Sequence, residues 1–239
     1  MSGKGEATGN GDTATLLGEA LARHQDGDLD AAIALYGKTL ESDPDCADAL
    51  HLLGVAALQK GDPEKAAQLI AQAIALHPAA DFYSNLGEAL KAGGHLDRAG
   101  DAFAQAISLE PRSAAAHYNL STVHSTRQEF EQSIKECEKA LEIKANFSEA
   151  HGGMGQALEA LGRYDEALSC YGRALEISPQ PKTRLRLATA LPVIPESKDA
   201  IVAARERMGR ELEALSKDKL AFDDPLGIIT NINFYLAYH

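Results

Sequence analysis

Two asparagines, Asn85 and Asn119, stand 34 residues apart. A carboxamide carries two donors and an acceptor, so it can pair with the backbone of a polypeptide whatever that polypeptide's side chains are. Two of them stacked on parallel helices would form a short ladder for an extended peptide; the plainer alternative is two polar residues on a solvated helix face. Asp81, Ser84, Glu88 and Lys91 fall near Asn85 at helical spacing and are further candidates for peptide contact. His117 and His151 are also 34 residues apart, with His124 two helical turns beyond the first. A metal would want three or four convergent ligands, so the expectation is no metal, with imidazoles filling half-buried packing positions. Cys46, Cys137 and Cys170 are odd in number and lack CxxC spacing, which fits a reducing compartment, and Cys137 and Cys170 stand at packing positions of second helices as core-filling thiols. No phosphate-cradling glycine loop, GxSxG or HExxH is present.

The elements that must position these residues are indicated by composition. The chain has 239 residues, 45% apolar and 24% charged, with only 5% aromatics and no Trp. A core must come from Leu, Ile and Ala, which favours close-packed helices over a β-sandwich. No apolar run is long enough to span a bilayer, and the polar, Gly-rich segment 1–12, read as a disordered tail, does not read as a secretion signal. These features together predict a cytoplasmic protein without a membrane association. Residues 13–181 carry 13 Lys and Arg against 25 Asp and Glu, a net of −12, whereas 182–220 carry 9 against 6. Such an acidic body repels phosphate backbones, so nucleic acid is excluded as a partner.

Internal repetition then organises the chain. Superposing Pro44, Pro78, Pro111 and Pro179, with Ala145 where a proline is missing, gives five repeats: 13–46, 47–79, 80–113, 114–147 and 148–181. The eighth position is Ala20, Gly54, Gly87, Ser121 and Gly155; the twentieth is Ala32, Ala66, Ala99, Ser133 and Ala167; the twenty-seventh is Thr39, Ala73, Ala106, Ala140 and Ala174. Small residues in all of these slots imply close helix crossings. Gly27, Gly61, Gly94 and Gly162 mark the turn after each first helix, and Tyr36, Phe103 and Tyr171 are large residues facing a neighbouring helix. This pattern resembles the tetratricopeptide family, with Leu53-Gly54, Leu86-Gly87 and Met154-Gly155 as its first signature. The resemblance implies an all-α solenoid, a right-handed superhelix of helix hairpins with a concave groove for an extended peptide. The family's Trp slot holds Leu16, Leu50, Tyr83, His117 and His151, and the fourth repeat, with Gln128, Cys137 and Ala145, is expected to be the least stable.

Beyond the repeats, 182–191 reads as a short capping helix and 198–220 as a linker helix with Ile201, Met208, Leu212 and Leu215 on one stripe. The apolar stretch 228–239 reads like the opening of a domain whose remainder is absent. The run Leu191-Pro192-Val193-Ile194-Pro195-Glu196-Ser197, then Asp224-Pro225 and Asn233-Phe234-Tyr235-Leu236-Ala237-Tyr238-His239, resembles the linker of bacterial SPINDLY-type proteins. These are similar to protein O-linked N-acetylglucosamine transferases. The resemblance implies that 221–239 opens a glycosyltransferase domain, that His239 is a catalytic-site histidine if the chain continues, and that Asn85 and Asn119 belong to an acceptor-binding ladder. It also implies a UDP-N-acetylglucosamine donor for the full-length family member. The chain alone holds no cofactor site and is expected to have no transferase activity. The expected function is therefore a module binding protein or peptide partners, Ser/Thr-rich and neutral or basic, as the substrate arm of such a transferase. The alternative is a free-standing tetratricopeptide scaffold. The partner's identity and the oligomeric state are not written in the sequence.

Overall fold

The computed structural model describes residues 9–190 and 197–217; the sequence expectations for 1–8, 191–196 and 218–239, including His239, lie outside the described residues. Every element among the described residues is an α-helix: α1 (Gly9–Gln25), α2 (Leu29–Ser42), α3 (Ala47–Gln59), α4 (Pro63–Leu76), α5 (Ala80–Ala92), α6 (Leu96–Leu109), α7 (Ala114–Thr126), α8 (Phe130–Ile143), α9 (Ser148–Ala160), α10 (Tyr164–Ile177), α11 (Pro181–Thr189) and α12 (Lys198–Lys217). The first helix starts at Gly9, so it takes in the last four residues of the segment read as a disordered tail. The chain divides into two compact units, with the break between Arg112 and Ser113.

In the first unit α1 pairs with α2, α3 with α4 and α5 with α6; in the second, α7 pairs with α8 and α9 with α10. The first helices of successive hairpins lie side by side: α1 beside α3, α3 beside α5, and, in the second unit, α7 beside α9. The last hairpin of the second unit is followed by α11, which packs on α10, and by α12, which packs on α11. The guanidinium of Arg207 on α12 fixes that pair by donating to the carbonyls of Leu187 (3.0 Å) and Ala190 (2.7 Å) at the end of α11.

Local chemistry sets the helix ends. Asp28, Asp62 and Ser113 accept hydrogen bonds from the backbone N–H three residues on, capping α2, α4 and α7, and Pro63 occupies the first turn of α4. Each first helix ends in a left-handed residue: Gly27, Gly61, Gly94 and Gly162 at φ of +75° to +82°, and Gln128 at 61°. The following N–H reaches back to the helix, as Asp62 does to Ala57 (3.0 Å) and Glu129 to His124 (2.8 Å), closing the orphan carbonyls. Glycine adopts this conformation without cost, whereas Gln128 carries a side chain there.

Packing follows the small-residue slots. All fifteen are buried. The eighth position of a repeat lies against the twenty-fourth of the same repeat. A β-carbon added to Gly87 would sit 2.5 Å from a Phe103 ring carbon, one on Gly155 2.6 Å from Tyr171, and one on Gly54 2.6 Å from Ile70. The fourth repeat makes the same crossing with smaller atoms: the Cys137 thiol donates to the Ser121 hydroxyl at 3.2 Å. Ser in place of Gly is accommodated because Cys stands in place of an aromatic ring.

Candidate functional site

Helix α5 presents Asp81, Ser84, Asn85, Glu88 and Lys91 together, Asp81 exposed and the others half-buried. Two of them are committed to each other: the Lys91 ammonium donates to Glu88 at 2.9 Å and lies 5.8 Å from the centroid of the Phe103 ring. Asn85 has a partner that the sequence reading did not anticipate. Its Nδ2 donates to Nε2 of His51, on the neighbouring helix α3, at 2.7 Å. His51 is 7% exposed and its ring stacks on Phe82 of α5, centroids 4.1 Å apart at 24°. Burial holds the His51 pKa below the ordinary imidazole value, against the opposing pull of Asp81 and Asp48. The ring is therefore neutral near pH 7, and a neutral imidazole has one nitrogen to accept the amide proton.

No further hydrogen bond to the Asn85 carboxamide occurs among the described residues, and no buried side-chain nitrogen or oxygen among them lacks a partner. The Asn85 carbonyl oxygen is consequently open to water. Asn119 lies on α7 in the other unit, half-buried, where its backbone carbonyl accepts from Thr122 (2.7 Å). Its carboxamide makes no hydrogen bond among the described residues and by the same reasoning reaches solvent.

A signal for His51 existed in the repeat register. Residue five of one repeat meets residue six of the next: His51 meets Asn85 in the first unit, and in the second the Tyr118 ring comes within 3.3 Å of where a β-carbon on Gly153 would stand. Recognising the pair from sequence requires knowing how far one hairpin is rotated against its neighbour. His117 and His151 each hold a partner close to them in the chain. His117 donates from Nδ1 to Glu136 (2.7 Å), which also accepts from Lys139 (2.7 Å), and His151 donates to the carbonyl of Ala145 (3.1 Å). Burial tends to raise the Glu136 carboxyl, but the hydrogen bonds from Lys139 and His117 prevail and hold it below the usual carboxylate value. No group of three possible metal ligands occurs among the described residues. Cys137 and Cys170 are buried, and burial pushes the Cys137 thiol up to about 11.

Helix hairpins repeating about every 34 residues, with small residues at each crossing and a left-handed residue, glycine in four of five repeats, at each internal turn, define a tetratricopeptide-repeat protein. Residues 1–220 match the family described as the cilia and flagella-associated protein 70 C-terminal domain, and the chain belongs to that tetratricopeptide-repeat family. Among solved structures, the chain resembles the MamA protein, with 31% identity and a TM-score of 0.61 over 69% of this chain and 91% of MamA. PilF of Pseudomonas aeruginosa shares the fold at 21% identity and a TM-score of 0.73, over 87% of this chain and 92% of that one. So does YrrB, described as a tetratricopeptide protein with an unusual peptide-binding site, at 19% identity and 0.58, over 69% and 86%. A comparison with curated protein sequences gives no match. The chain is a protein-interaction scaffold of the tetratricopeptide class. No helix among the described residues is long and apolar enough to cross a membrane.

Proposed function

We propose that the chain binds extended peptide segments along the first helices of each unit, with Asn85 in the first unit and Asn119 in the second reading the peptide backbone, and Asp81, Ser84, Glu88 and Lys91 lining the approach to Asn85. The observation that carries this is the Asn85 carboxamide: one N–H is anchored on His51 while its carbonyl oxygen stays open to water. An amide held in this way offers an acceptor and a second donor to a passing backbone at little further entropic cost. The excess of 25 acidic over 13 basic residues across 13–181 favours neutral or basic peptides, Ser/Thr-rich ones among them, with affinity falling as salt rises. YrrB, a structural relative, is described as having a peptide-binding site, which agrees with this use of the fold.

The test begins with selection of a random dodecapeptide library against the 239-residue chain. The selected peptide is then titrated by fluorescence anisotropy against wild type and Asn85→Ala plus Asn119→Ala. Loss of the two amides should weaken binding by about tenfold or more. Undiminished binding by the double variant would refute the backbone-reading role. The narrower reading, the substrate arm of a protein O-linked N-acetylglucosamine transferase, rests on the motif between Leu191 and His239. Its test is glycosylation of the selected peptide, from UDP-N-acetylglucosamine, by a protein that carries these residues together with a transferase domain. Equal glycosylation with and without Asn85 and Asn119 would set it aside.

A further inference from the structure

Resting on that reading, we infer that His51 is the positioning residue of the peptide face: while neutral it turns the Asn85 carbonyl outward, and on taking up a proton it reverses the amide and changes what the face offers a peptide. Asn85 Nδ2 and His51 Nε2 are 2.7 Å apart. A neutral ring accepts there, which requires the NH2 group to face it and leaves the carbonyl oxygen outward. An imidazolium donates from both nitrogens. Two donors cannot share that distance, so the carboxamide rotates by half a turn, its oxygen accepts from the charged ring, and the NH2 group turns outward.

The ring itself is not free to move away. It is stacked on Phe82 at 4.1 Å, and Phe82 is buried at 4% exposure with His77, at the end of α4, edge-on to its ring at 6.4 Å. The amide is the softer of the two groups, since a terminal carboxamide torsion is broad and roughly twofold. The charged groups that act on His51 are Asp48 on its own helix α3 and Asp81 on α5. Both favour the proton, burial opposes it, and burial prevails, so the switch lies below the ordinary histidine value of 6.5. Asp81 thus contributes to the peptide face in a second way, by setting where its neighbour titrates.

The experiment is a pH series on the full chain with two readouts. In nitrogen–proton correlation spectra the Asn85 side-chain NH2 pair should shift along a single titration curve, with a midpoint below 6.5 that coincides with that of the His51 ring. In His51→Gln, whose side-chain oxygen can accept from the amide but does not titrate, the Asn85 pair should be flat. The second readout is anisotropy with the selected dodecapeptide. Acidification through the midpoint should weaken wild-type binding about five- to tenfold more than it weakens His51→Gln, whose other carboxylates titrate alike. His51→Phe keeps the stack but removes the acceptor; it should bind weakly at neutral pH, with His51→Gln restoring most of the affinity. An Asn85 pair that stays flat while the His51 ring titrates overturns the inference, whatever the peptide does. A titrating Asn85 pair with binding indifferent to Asn85→Ala overturns the peptide reading, and with it the claim that His51 sets what the face reads.

Discussion

Gly87→Ala adds a single methyl group at the crossing of α5 and α6. The new β-carbon would stand 2.5 Å, 2.7 Å and 2.7 Å from three ring carbons of Phe103. Carbon atoms rest at about 3.5–4.0 Å, so the ring or the helix must give by about 1 Å. The ring has nowhere open to go: Phe103 is fully buried. Overpacking of this kind costs about 1–3 kcal/mol, offset in part by the gain of roughly 0.5–1 kcal/mol from replacing a mid-helix glycine by alanine. Gly37→Ala on α2 supplies that gain alone, since nothing lies within 4 Å of its added carbon. The difference in unfolding free energy between the two variants, from urea denaturation followed by circular dichroism, should therefore be about 1–3 kcal/mol with Gly37→Ala the more stable. Phe103→Leu should relieve the strain: combined with Gly87→Ala, the double variant should be more stable than additivity allows by about 1 kcal/mol or more. Equal stability of Gly87→Ala and Gly37→Ala, or strict additivity with Phe103→Leu, would refute the crossing register.

Gln128→Gly should stabilise the chain by about 0.5–1 kcal/mol, because a non-glycine residue is held there at φ 61°, while Gly94→Ala, at φ +80°, should destabilise it by a similar amount or more; thermal melts of both check the sign. Cys137, buried and with its thiol pushed up to about 11, should resist alkylation at neutral pH until the chain unfolds, whereas half-exposed Cys46 should react in the folded state; mass spectrometry of iodoacetamide-treated protein with and without urea reads this directly. Glu136→Gln should cost about 1–3 kcal/mol at neutral pH through its weakened bonds to Lys139 and His117. A carboxyl held low when folded stabilises above the ordinary carboxylate value and loses that contribution as pH falls through its folded value, so denaturation curves of variant and wild type should converge in acid; a constant gap would contradict the assignment.

Much of the architecture was legible because it repeats. A close helix crossing excludes large side chains at every recurrence, so Ala32, Ala66, Ala99, Ser133 and Ala167 carry the same steric message in all five repeats, and each is buried. Gln128 shows where the reading thinned: at a turn expected to need glycine, the backbone is left-handed all the same, because the hydrogen bond from Glu129 to His124 closes the helix end whatever side chain precedes it. The partners of the buried tyrosine hydroxyls were not legible. Position twelve of a repeat lies over position twenty-four, but the residues there differ each time. The hydroxyl of Tyr36 donates to His24 (3.1 Å), which in turn donates to Gln59 (3.0 Å), Lys91 sits over the Phe103 ring, and Tyr171 donates to Glu159 (2.7 Å). Each is a private solution to one local polarity, and a period cannot announce it.

The candidate site divides in the same way. The sequence alone placed Asn85 with Asp81, Ser84, Glu88 and Lys91 on one helix, because helical spacing is a local property of the backbone. The tertiary structure alone decided that Asn85 leans on His51 and that a break between compact units falls after Arg112. The physical reason is distance along the chain against distance in space. Steric exclusion at a crossing is imposed on each repeat separately and leaves its mark in composition. A hydrogen bond between α3 and α5 depends on how one hairpin is set against the next, a rotation that packing of many side chains determines together and that no single residue records.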